Sequence, residues 1–261
     1  MVIVGENGVD AQERAECGFT FLAVCGIVFL SSLPGKELTM EEKVFEGMTY
    51  LVYYPEGFQE DKKYPLVMFL HGAGSRGQTP ERLYKNISLS YIRKRQNERG
   101  FILLAPHCNG VNWDEWMPSL VRLVESFRQK SYVDDTRIHL TGNSMGGYGT
   151  WALATLRPDW FASIMPLCGG ASCGFAPRLV DLPIRAFHGL RDKTVDPMES
   201  MMVAKAVNLA GGCAELILFP TNAHNIWPEV YDDDKNYDWL LSYTNIREKT
   251  PLAPLYGDYY G

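Results

Sequence analysis

The feature that most constrains this chain is a serine set between two glycines where a strand passes into a helix. Arg137-Ile138-His139-Leu140-Thr141 has strand character, and Trp151-Ala152-Leu153-Ala154 is good helix material. Between them runs Gly142-Asn143-Ser144-Met145-Gly146, a Gly-x-Ser-x-Gly pentapeptide. A turn that sharp leaves no space for side chains beside the serine, so Gly142 and Gly146 read as steric necessities. The serine then stands on a strained elbow with its hydroxyl clear of the sheet and a helix N-terminus beneath it. Such a serine is a candidate nucleophile. Short motifs also arise by chance, so the rest of the chain must supply a base, an acid and oxyanion donors.

The surrounding sequence alternates strands and helices. Met48–Tyr54, Pro65–Leu70, Phe101–Ala105, Ala162–Cys168, Pro183–His188 and Ala214–Phe219 read as strands. Several are continuous apolar runs of the kind buried on both faces of a parallel sheet. The segments from Pro80 to about Asn97, Met117–Gln129, Pro197–Leu209 and Pro228–Ser242 have helical spacing. The residues that carry chemistry fall just after strand C-termini, the edge where open α/β sheets form sites. The expected architecture is one α/β domain over residues 41–261, a mostly parallel sheet with helices on both faces. Residues 1–40 are an appended extension.

Within that frame the base has two candidates downstream of Ser144, His188 and His224. His188 closes a strand and is expected to order its own turn through backbone hydrogen bonds. His224 stands in a loop between the last strand and the closing helix, the better position for a base. The acid must lie between Ser144 and His224 on a post-strand loop. Asp192 does, whereas Asp196 suits a helix cap and Asp181 precedes its strand at the wrong end of the sheet. Oxyanion donors are expected from the backbone N–H of Met145 and of Ala73, in the small-residue loop His71-Gly72-Ala73-Gly74 after an earlier strand.

That loop also satisfies Gly-x-Gly-x-x-Gly as Gly72-Ala73-Gly74-Ser75-Arg76-Gly77, the dinucleotide fingerprint. A dinucleotide site needs a helix starting within the glycines and a carboxylate after the next strand. Here Gln78-Thr79-Pro80 delays the helix and the next strand ends in Ala105-Pro106-His107, so that reading fails. The net charge of -6 and the lack of a long basic run argue against a nucleic-acid partner. Neither Cys-x-x-Cys nor His-Glu-x-x-His occurs, so no metal and no cofactor is expected. The 6 cysteines are too few for a disulfide scaffold, although a local bridge between Cys168 and Cys173 stays open.

The apolar stretch 19–33 has the length of a signal-peptide core and is too short to span a bilayer comfortably. Its upstream flank carries Glu6, Asp10, Glu13 and Glu16 against Arg14 alone, the wrong sign for an export signal. The favoured location is therefore cytoplasmic, with secretion as the alternative.

Taken together, these residues resemble the α/β-hydrolase superfamily. Within it they are most similar to an esterase-like group known as predicted peptidases, related to feruloyl esterases and polyhydroxybutyrate-depolymerase-type enzymes. The resemblance runs from about Phe45 to the closing helix. It rests on Tyr64–Gly77, Gly142–Trp151, Pro158–Ala162, Phe187–Asp192 and His224–Trp227. It implies Ser144 as nucleophile, Asp192 as acid, His224 as base and oxyanion donors from Ala73 and Met145. Relatives usually run Val-Pro where this chain has Asp196-Pro197. The implied activity is hydrolysis of a small-molecule or polysaccharide-linked carboxylic ester through an acyl-enzyme. A peptidase or acyltransferase on the same triad is the first alternative, and a binding module on a hydrolase scaffold the second. Trp113 and Trp227, on loops at the functional edge, are the candidates to flank an aromatic or sugar-bearing substrate.

Overall fold

The computed structural model describes residues 2–4 and 40–248. Nine strands form one sheet: β1 (Val2–Val4), β2 (Met40–Phe45), β3 (Met48–Tyr53), β4 (Tyr64–Leu70), β5 (Ile102–Pro106), β6 (Val133–Asn143), β7 (Ser163–Leu167), β8 (Ile184–Gly189) and β9 (Ala214–Phe219). Their order is β1-β9-β8-β7-β6-β4-β5-β3-β2. Pairing is parallel from β1 to β5 along that order and antiparallel where β3 joins β5 and β2 joins β3. The central strands β4, β5 and β7 are buried throughout, save the first residue of β4. Near the edge, β9 alternates buried and half-buried residues.

Side-chain alternation along each strand splits the core into two layers. Leu66, Met68 and Leu70 of β4 face α3 (Met117–Arg128), α4 (Met145–Leu156) and α5 (Met198–Leu209), which contribute Leu120, Trp151 and Val203. Val67 and Phe69, one step out of phase, face α1 (Glu81–Tyr84), α2 (Ile87–Arg99), α6 (Trp227–Tyr231) and α7 (Asp234–Leu241), which contribute Leu83, Ile92, Tyr231 and Leu240. Covered on both faces, the sheet can expose functional groups only at its edges and strand ends.

Three expectations change. The helix after Pro80 is two helices, because the Asn86 side chain accepts the Leu89 N–H at 2.9 Å and starts α2 afresh. The closing helix is likewise two, since Asp233 accepts the Lys235 N–H and caps α7. In both places a short polar side chain outcompetes helix continuation by satisfying an orphan backbone donor. The strand β2 escaped notice because Met40-Glu41-Glu42-Lys43-Val44-Phe45 is largely polar, as suits an exposed edge. It joins β3 through Glu46 and Gly47, both at positive φ (49° and 81°), the backbone twist a two-residue hairpin requires. Cys168 and Cys173 are free thiols, one buried and one exposed, so the bridge left open between them is not formed. The stretch 19–33 lies outside the described residues. No helix among the described residues is long and apolar enough to cross a membrane.

One polar group lies deep in β6. His139 is fully buried, with Nδ1 at 2.9 Å from Ser163 Oγ, and that hydroxyl donates to the Leu240 carbonyl. Its Nε2 has no partner, and burial lowers its pKa to about 3. His71, at the end of β4, is lowered by burial to about 4. The unfolded chain therefore binds protons below pH ~6.5 that the native protein refuses, and stability falls as pH falls from there to about 4. Each histidine contributes a slope of up to about 1.4 kcal/mol per pH unit. Urea unfolding across that range should show it, and His139→Gln should lower the slope by about one proton.

Candidate active site

The elbow is a backbone crossing too close for any Cβ. A methyl added to Gly146 would stand 1.8 Å from the Leu70 carbonyl oxygen, and one on Gly142 would stand 2.4 Å from the Gly146 oxygen. Ser144 takes φ 57° and ψ -119°, a conformation costly for a residue with a side chain. It is pinned there by its N–H to the Leu167 carbonyl (2.9 Å) and by its own carbonyl, which accepts the Tyr148 N–H (3.1 Å). The strain persists because neighbouring strands fix both ends of the turn.

At this elbow the structure brings three distant residues into one chain of hydrogen bonds. His224 Nε2 lies 2.9 Å from Ser144 Oγ, and His224 Nδ1 lies 2.6 Å from Asp192 Oδ2. The other Asp192 oxygen, Oδ1, accepts the Thr194 N–H (2.8 Å) and the Val195 N–H (3.0 Å). Burial alone would raise the Asp192 pKa, but the bonds from His224, Val195 and Thr194 outweigh it and hold the carboxyl below its ordinary value. An ionised Asp192 fixes the proton of His224 on Nδ1 and leaves Nε2 free to accept from the serine. The loops carrying the two residues are stitched together. Arg191 N–H donates to the Asn222 carbonyl, and a methyl on Gly189 would stand 2.1 Å from the Ala223 oxygen.

Ala73 opens a short 3-10 turn (Ala73–Ser75) after β4, and Met145 is the first residue of α4. N–H groups at helix starts have no intrahelical acceptor; Met145 follows Ser144 directly, and Ala73 lines the same cleft as Ser144. After Ala73-Gly74-Ser75 the chain does not become helical until Glu81, as the failure of the dinucleotide reading requires. Buried His71 is neutral and braces this loop. It sits between the Gly72 carbonyl at Nδ1 (2.8 Å) and the Cys108 N–H at Nε2 (3.0 Å).

Trp113 and Trp227 play different parts. Trp113 is only 1% exposed; its Nε1–H donates to the His71 carbonyl (3.0 Å) and its ring packs on His71 at 4.9 Å. It is a brace whose edge also lines a cavity. Trp227 meets the His224 ring edge-on at 5.3 Å and lines the cleft at Ser144.

Sequence reasoning missed several groups around Asp192. His188 Nε2 faces the Val195 carbonyl (3.1 Å), the backbone role expected of it, but also lies 3.2 Å from Asp192 Oδ2. Its Nδ1 is 2.7 Å from Ser200 Oγ, which donates to the Gly169 carbonyl. Cys168 Sγ reaches the His224 carbonyl at 3.5 Å. Donor atoms of Cys168, His188 and Asp192 lie within 4.8 Å of one another. Burial pushes the Cys168 thiol far above its ordinary pKa, so it stays protonated, a poor metal ligand. The trio packs behind the Asp192–His224 pair. A histidine ending a strand four residues before an acid was the one signal for it.

Two cavities lie near the elbow, one lined by Met145 and the other by Ser144. One of about 520 Å³ is largely apolar and lined by Met117, Met145, Tyr148, Ala152, Leu156 and Phe175 among others. The second, about 330 Å³, holds Ser144 and His224 themselves, with Gly72, Ala73 and Trp227.

Residues 97–173 match the model of the prolyl oligopeptidase family. "Probable feruloyl esterase C" of Aspergillus terreus is 26% identical over 190 residues, 70% of each chain. A solved thermostable esterase superposes with a TM-score of 0.68 at 26% identity, over 79% of this chain and 63% of that one. The chain is an α/β-hydrolase. Dipeptidyl-peptidase 5 of Porphyromonas endodontalis is 23% identical over 69% of this α/β-hydrolase but only 33% of its own length. The relatives thus include proteins named as esterases and as peptidases, and the chain shares the hydrolase fold with both.

The elbow makes a direct test. Gly146→Ala should destabilise the α/β-hydrolase by about 3 kcal/mol in urea unfolding, since backbone atoms on both sides would have to move.

Proposed function

We propose that this α/β-hydrolase is a serine carboxylesterase whose triad is Ser144, His224 and Asp192. The observation that carries the reading is the unbroken chain of bonds at 2.9 Å and 2.6 Å from a strained, cavity-facing serine to a buried carboxylate. His224 Nε2 takes the Ser144 proton as Oγ attacks the ester carbonyl carbon. The carbonyl π pair moves onto oxygen, which the N–H groups of Ala73 and Met145 receive. The tetrahedral intermediate collapses, the bond to the alcohol oxygen breaks, and His224 returns the proton to it. Water, deprotonated by the same histidine, then attacks the acyl-enzyme and releases the acid and Ser144. Asp192 orients the imidazole and stabilises the imidazolium throughout.

An ester is favoured over an amide because alkoxide and phenoxide are easier to expel, and the apolar cavity beside Met145 suits an aryl or other apolar acyl group. Likeness to a protein named as a feruloyl esterase supports the same choice. Hydrolysis of short-chain p-nitrophenyl esters and of methyl ferulate checks it. Wild-type protein should show a burst of p-nitrophenol followed by steady turnover. Ser144→Ala should abolish the burst, and Asp192→Asn should lower kcat about 10⁴-fold by removing control of the histidine tautomer. Equal rates in wild type and Ser144→Ala would end the reading.

A further inference from the structure

Behind Asp192 the hydrogens do not add up if His188 is neutral. The ring is fully buried and has partners at both nitrogens. Nδ1 lies 2.7 Å from Ser200 Oγ, and that hydroxyl lies 2.6 Å from the Gly169 carbonyl oxygen. Nε2 lies 3.1 Å from the Val195 carbonyl oxygen and 3.2 Å from Asp192 Oδ2. A carbonyl and an ionised carboxylate can only accept, so Nε2 must carry a hydrogen. The Gly169 carbonyl claims the Ser200 hydrogen, so Nδ1 must carry one too. Nδ1 to Ser200, Ser200 to Gly169 and Nε2 to its oxygens need three hydrogens, and a neutral imidazole with one hydroxyl brings two.

His139 shows the neutral arrangement in the same molecule. Its Nδ1 also meets a serine, Ser163, whose hydroxyl donates to the Leu240 carbonyl, but its Nε2 has no partner. Two hydrogens suffice there. At His188 the second nitrogen is occupied, and one of its partners is an anion.

The titratable groups facing His188 are Asp192 on its own loop, His224 from the loop after β9 and Cys168 from just after β7. From α5 comes the uncharged Ser200 hydroxyl. Burial keeps the Cys168 thiol protonated, so Asp192 is the negative charge of the group. Burial, the largest influence on His188, lowers its pKa, while the Val195 carbonyl and the Asp192 carboxylate raise it. The hydrogen count sides with the carboxylate.

We propose that His188 is an imidazolium paired with Asp192 and a positioning residue for that acid. The inference rests on the serine esterase reading, whose base it tunes. An Asp192 carboxylate alone would raise the His224 pKa, and a positive charge on the same Oδ2 offsets that pull. His224 Nε2 therefore stays free to take the Ser144 proton at a lower pH than Asp192 alone would allow. No bond forms or breaks, and the extra proton remains on His188.

Nitrogen–proton NMR spectra of histidine-labelled protein read the charge directly. The signals lost in His188→Gln identify His188, and in wild type both its ring nitrogens should be protonated from about pH 5 to about pH 8. One protonated and one bare nitrogen across that range would overturn the proposal. The same spectra titrate His224, whose pKa should rise by about one unit in His188→Gln. The acidic limb of kcat/KM for a p-nitrophenyl ester should move up with it. Ser200→Ala removes the acceptor for Nδ1, keeps the Nε2 contact and should move the limb the same way, which serves if the glutamine variant does not fold. A merely structural His188 would lower kcat at every pH while leaving the limb and the His224 titration in place, and that result would sink the tuning role. Wild type that cleaves no ester would end the esterase reading alone, because the spectra still report the charge on His188.

Discussion

The carbonyl oxygen of Leu70, at the end of β4, lies where a side chain on Gly146 would have to be. That contact sets the rest of the site. It lets α4 start directly above the sheet, with Met145 as its first residue, and goes with the positive φ of Ser144. The rigid β4–β6 pairing behind it, in register from Leu66 against Ile138 to Leu70 against Gly142, keeps the strained serine from relaxing. A fold that must bury both faces of its sheet has little freedom except at strand ends, and the site uses that freedom.

The carboxylate is held by a similar economy. Asp192 is buried, yet its two oxygens face two backbone N–H groups and two imidazoles. A buried charge so surrounded stays charged, because hydrogen bonds replace the water it has lost. His188, Ser200 and Gly169 extend the network to α5 and the loop after β7, so the acid is tied to three separate elements.

Much of this was legible from residues alone, because the steric demand at the elbow and the post-strand placement of Asp192 and His224 both leave marks in sequence. The apolar runs Pro65–Leu70 and Phe101–Ala105 announced buried parallel strands directly, since nothing on their faces meets water. Short polar caps were harder: Asn86 and Asp233 break helices that periodicity alone would join, and that outcome hangs on a single side-chain rotamer. Trp113 does stand at a cavity wall, but the bond from its N–H to the His71 carbonyl left no mark in the sequence. The pairing of cavities escaped sequence reasoning altogether. Met117, Ala152 and Phe175 are separated along the chain and become neighbours only when α3, α4 and the loop after β7 pack.

The bond from His224 to Ser144 joins positions 80 residues apart, and the bond from His224 to Asp192 joins positions 32 apart. Closing such loops is entropically slow compared with forming the helices between them. The serine on its elbow needs only β4, β6, β7 and α4, whereas the imidazole arrives on a loop that follows β9. A chain partway through folding can thus hold Ser144 on its elbow before His224 is in place beside it. Ser144 meets the imidazole that bonds its hydroxyl only once the loop after β9 has docked on the sheet.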